Sequence, residues 1–98
     1  MIDRITKNEK RLDKILLNIQ ELEKVLTTFK ANKKDIYLLN KYYGSKKWFK
    51  DKTYFEENNL KIKAGVLSED AVWNMLEEID YLIKEMKDIT KNYDKNKL

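Results

Sequence analysis

Three features of the sequence predict an all-α fold. Proline is absent and glycine occurs only twice, which removes the residues that usually build sheet turns. Apolar residues recur at steps of three and four over two long stretches, the spacing that places them on one face of a helix. Charged residues make up 39% of the chain against 42% apolar, a proportion that suits thin helical cores with much solvated surface. The predicted architecture is an antiparallel hairpin of two long helices, about 3–43 and 69–93, with a short connecting helix at about 46–57. Together they form a three-helix, bundle-like single domain over 1–98, with 94–98 as a flexible tail.

The first helix follows from the stripe Ile5, Leu12, Ile15, Ile19, Leu22, Leu26 and Phe29, widened by Leu16 and Val25. Its opposite face carries like-charged neighbours such as Lys7 and Arg11, so burial of the stripe has to hold it rather than surface pairing. The same seven-residue frame puts Lys33 and Asn40 on the seam while Ile36 and Tyr43 still fall in place. With no glycine or proline to mark a break near Ala31–Lys34, an unbroken helix to Tyr43 is favoured over two segments.

Gly44 then reads as a left-handed helix stop, and Ser45 as the cap of the connecting helix. That helix places Trp48, Asp51 and Phe55 near one face and ends in the polar run Glu56-Glu57-Asn58-Asn59. Residues 58–67 are irregular, with Leu60, Ile62, Val66 and Leu67 expected against the core. Gly65 is read with Ser68 as a structural cap. Ser68-Glu69-Asp70 is a strong start for the last helix, since a hydroxyl and two carboxylates suit free backbone N–H groups at the positive end of the dipole. The last helix carries Val72, Met75, Leu76, Ile79, Leu82, Ile83, Met86, Ile89 and Tyr93 at helical spacing.

The connector also carries a resemblance. Tyr42-Tyr43-Gly44-Ser45, Trp48 and Asp51, followed by Gly65-Val66-Leu67-Ser68-Glu69-Asp70 and Leu76, are similar to the pattern of a bacterial family catalogued as domain of unknown function 4298. One departure is Asn59-Leu60-Lys61-Ile62, which lacks the Leu-Pro step such sequences usually carry. The resemblance implies a small helical protein and brings no assigned activity or catalytic residues.

Composition restricts function. Without cysteine there is no disulfide, thiolate metal site or thiol nucleophile, and without histidine the remaining acid–base groups are carboxylates, lysines and tyrosines in no catalytic pattern. No enzyme activity, cofactor or metal is expected. The charged amino terminus and short apolar runs give neither a signal peptide nor a membrane span, so a cytoplasmic location is expected. The heavy excess of lysine over arginine suggests AT-rich coding and a bacterial or phage source.

Two surfaces are candidates for binding. The first is the aromatic connector, where Tyr43, Trp48 and Phe49 either cap the end of a thin core or offer an exposed anchor. The second is the first helix. A helix of about forty residues cannot be covered by one of about twenty-five, which leaves Ile5, Leu12, Ile15 and Ile19 for a coiled-coil-like contact with a second copy or another protein. A protein-interaction module, acting as a homodimer or with a protein partner, is the expected function. The alternative is a basic nucleic-acid-binding accessory protein of phage or mobile-element origin, because lysines surround the aromatic connector. Against it, residues 68–98 carry a net −3 that offsets the +4 of residues 36–67 within the same chain.

Overall fold

A computed structural model describes residues 1–94 and Asn96. Most of the expected tail, at Lys95, Lys97 and Leu98, lies outside the described residues. Among the described residues there are helices and no strands: α1 (Ile2–Ala31), α2 (Lys33–Tyr42), α3 (Lys46–Glu57), a 3-10 turn at Gly65–Leu67, and α4 (Ala71–Asn92). The chain divides into two compact units, Met1–Ile36 and Tyr37–Leu98.

The first unit is α1 with the opening turn of α2. The expected continuous helix is interrupted at one residue, Asn32, which keeps right-handed dihedrals of φ −80° and ψ −4°. Its N–H donates to the Thr28 carbonyl at 3.2 Å, and its own carbonyl accepts from Ile36 N–H at 2.9 Å, both in the α-helical pattern. The interruption is thus a loosening of one turn. No glycine or proline is needed for it, because Asn competes only weakly for the helix. No residue of α1 is buried. From Ile5 to Leu26 the apolar stripe is exposed, because this unit holds no second surface to bury it against.

Among the described residues two are buried, Trp48 and Val72, each 4% exposed, and both lie in the second unit. Around them Tyr43, Leu60, Val66, Leu67, Met75, Leu76 and Ile79 are half-buried. Ile62, expected against this core, is exposed. The core therefore occupies the amino-terminal half of α4. Beyond Asp80 the same apolar stripe, through Leu82, Met86 and Ile89, is open.

Local chemistry sets the turns. Gly44 has φ +74°, the left-handed conformation that lets the chain leave α2. Ser45 Oγ accepts from Trp48 N–H at 3.2 Å and caps α3. The exit from α3 uses Asn59, whose φ of +46° is one that asparagine tolerates better than most residues. Leu60 N–H reaches back to the Phe55 carbonyl at 3.5 Å, the six-to-one bond of a Schellman-type ending. Ser68 Oγ accepts from Ala71 N–H at 3.1 Å, but the N-cap position of α4 is Asp70, two residues later than expected, and the Asp70 side chain makes no capping bond.

Gly44 and Gly65 differ in consequence. Neither has an atom within 4 Å of where a Cβ would stand, but only Gly44 has a positive φ. Gly44→Ala is expected to destabilise the second unit by about 1–2 kcal/mol, read from urea denaturation. Gly65→Ala is expected to be close to neutral in the same measurement.

Candidate interaction surfaces

In the second unit the residues that carry the sequence pattern are bonded to one another. Tyr42 Oη donates to Asp51 Oδ2 at 2.6 Å, joining the end of α2 to α3. Tyr43 Oη donates to the Glu69 backbone carbonyl. The Trp48 indole N–H donates to the Val66 carbonyl at 2.9 Å, tying α3 to the 3-10 turn. The Trp48 ring meets Tyr43 and Phe49 edge-on, with centroids 5.4 and 4.9 Å away. Lys52 lies over Trp48 with Nζ 5.3 Å from the ring centroid and stands 3.5 Å from Glu69 Oε1. That ion pair is exposed on the glutamate side and adds little. With Gly44 turning the chain and Ser45 and Ser68 satisfying helix starts, the motif works as a lock that fixes the connector.

This geometry divides the aromatic candidates. Trp48 is a core residue and is not available as an exposed anchor. Phe49, its neighbour, is 58% exposed. Tyr43 is half-buried with its hydroxyl engaged. Phe49 and Tyr43 line a shallow open groove with Lys52, Glu69 and Trp73. Trp73 is exposed and falls beside the apolar stripe of α4, so helical periodicity gives no reason to single it out; being one of only two tryptophans was the available signal.

The Asp51 carboxylate keeps the proton on the Tyr42 hydroxyl. The hydrogen bond to its carboxylate, partial burial and the adjacent negative charge together push the Tyr42 hydroxyl up to about 12. An unfolded tyrosine ionises near 10. Below that pH both states keep the proton and the contribution of this bond is complete; between about 10 and 12 the unfolded chain loses its proton first, so stability falls as pH rises. Tyrosinate absorbance should show Tyr42 ionising near that raised value. Asp51→Asn should lower the Tyr42 value, and an unchanged titration would contradict the assignment.

The first unit carries the larger apolar surface. Ile5, Leu12, Ile15 and Ile19 are 57, 50, 57 and 45% exposed, and Leu22 and Val25 continue the open stripe. Phe29 at its end, and Ile36 beyond it in the same frame, are half-buried. Near the start of the stripe, Asn8 Nδ2 donates to the Arg4 carbonyl and Asn8 Oδ1 accepts from the Arg11 guanidinium, each at 2.9 Å. No helix among the described residues is long and apolar enough to cross a membrane.

The chain is thus an all-helical protein in which a long amphipathic helix precedes a small connector unit locked by tyrosine, tryptophan and serine contacts. The family model Domain of unknown function (DUF4298) matches residues 5–89, and the chain belongs to that family. No curated protein and no solved structure matches it.

Proposed function

We propose that this protein is a non-catalytic interaction module that acts by protein–protein contact and self-associates through the apolar face of α1. The observation that carries this reading is the exposure of that face from Ile5 to Val25, with no buried residue anywhere in the helix. Burying one Leu or Ile is worth about 1.5–3 kcal/mol. Several such side chains left half in water amount to a driving force comparable with the stability of a small domain, and a second apolar face relieves it.

One further observation supports a structural role for the connector motif. The motif residues Tyr42, Tyr43, Trp48 and Asp51 are occupied in holding the connector together.

Sedimentation of the full chain over a range of concentrations tests the proposal. The expected result is a dimer in the micromolar range or tighter. A monomer at every accessible concentration would contradict it.

A further inference from the structure

We infer that the surface covering α1 is the same face of a second copy running antiparallel, in the register that sets Ile5 of one copy opposite Ile36 of the other. This rests on the self-association proposed above and adds its geometry. The frame holds from α1 into α2, since Asn32 keeps a right-handed backbone and the α-helical bonds on either side of it. Ile5, Leu12, Ile19, Leu26 and Lys33 form one row of the seam, and Asn8, Ile15, Leu22, Phe29 and Ile36 the other.

Ten seam positions include two polar ones, Asn8 near one end and Lys33 near the other, and these decide the register. In the inferred arrangement Asn8 faces Lys33, while Leu12 meets Phe29, Ile15 meets Leu26 and Ile19 meets Leu22. Every apolar layer faces an apolar layer. The amide oxygen of Asn8 accepts one bond from Arg11 and has a second lone pair for the Lys33 ammonium. Beside the seam, Glu9 of each copy falls next to Lys30 of the other, giving two opposite-charge pairs and no like-charge pair among the flanking residues of α1.

The competing arrangements are poorer. A parallel pair in register gains Arg4 beside Glu9 but sets Lys33 against Lys33 within the seam. An antiparallel pair with α1 overlapped end to end, Ile5 opposite Phe29, places Glu9 beside Glu23 twice and Asn8 against Leu26. Like charges side by side and a polar group facing an apolar one both cost stability.

Spin-label distances separate these cases, and the natural absence of cysteine makes single labels straightforward. Lys10→Cys and Lys24→Cys place a label on the outer face of α1. In the inferred register the two Lys10 labels are offset along the axis by about 32 Å and the two Lys24 labels by about 10 Å. A parallel dimer gives the same distance for both sites, which would overturn the register and leave self-association standing. Loss of any intermolecular distance, with a monomeric mass, would overturn both. Charge exchange gives a second readout. Glu9→Lys and Lys30→Glu should each weaken self-association several-fold, and mixing the two variants should restore it as a heterodimer. Mixing that restores nothing would overturn the inferred register.

Discussion

Replacing Leu12 and Ile19 together with aspartate is expected to leave the chain monomeric, with association weakened at least 100-fold. Both residues lie on the same row of the α1 face, 50 and 45% exposed, so the monomer loses little when they become polar. The dimer loses much more. Four half-exposed side chains cease to be buried, each forfeiting about half of the 1.5–3 kcal/mol that full burial of Leu or Ile supplies. Four carboxylates would also have to be desolvated at the seam or leave it. At about 1.4 kcal/mol per tenfold, the apolar loss alone reaches two decades. The control is aspartate at Lys10 and Lys24, on the outer face, which should leave the dimer mass unchanged in sedimentation. A double variant that remains dimeric would remove α1 from the interface.

Trp48→Ala should have the largest effect on folding, destabilising the second unit by about 3–5 kcal/mol. Trp48 is 4% exposed, packs edge-on against Tyr43 and Phe49, and donates to the Val66 carbonyl, so truncation opens a cavity and removes a link between α3 and the 3-10 turn. Trp48→Phe keeps part of the ring contact and loses the donor, a cost of about 1–3 kcal/mol if the carbonyl is left unpaired. Phe49→Ala, one position on but largely in solvent, should fall within about 1 kcal/mol of the parent. Urea denaturation of the three variants checks the order, and an equal loss at Trp48 and Phe49 would contradict the division between core and surface.

These two expectations mark where the sequence was informative. Gly44, Ser45 and Ser68 were readable because their chemistry is local: a left-handed stop or a hydroxyl cap needs only the neighbouring backbone. The grouping of Trp48, Asp51 and Phe55 on one face was readable from periodicity, but the bonds they make were not. Tyr42 with Asp51 and Trp48 with Val66 join different elements, and nothing in spacing foretells which rotamers meet. The left-handed Asn59 was hidden among several polar residues of which any could end a helix. The interruption at Asn32 carried no glycine or proline signal, since it alters the helix by a single turn. Periodicity did show that α1 has an apolar face. It does not say whether that face is covered, because the same stripe serves a core and an interface equally well.

Amide hydrogen exchange at two protein concentrations tests the central claim most directly. If α1 is held by a second copy, protection of its amides should rise with concentration, while protection around Trp48 and Val72 stays constant. Amides of α1 that exchange at the same rate whether the protein is dilute or concentrated would show that this face does not bring chains together.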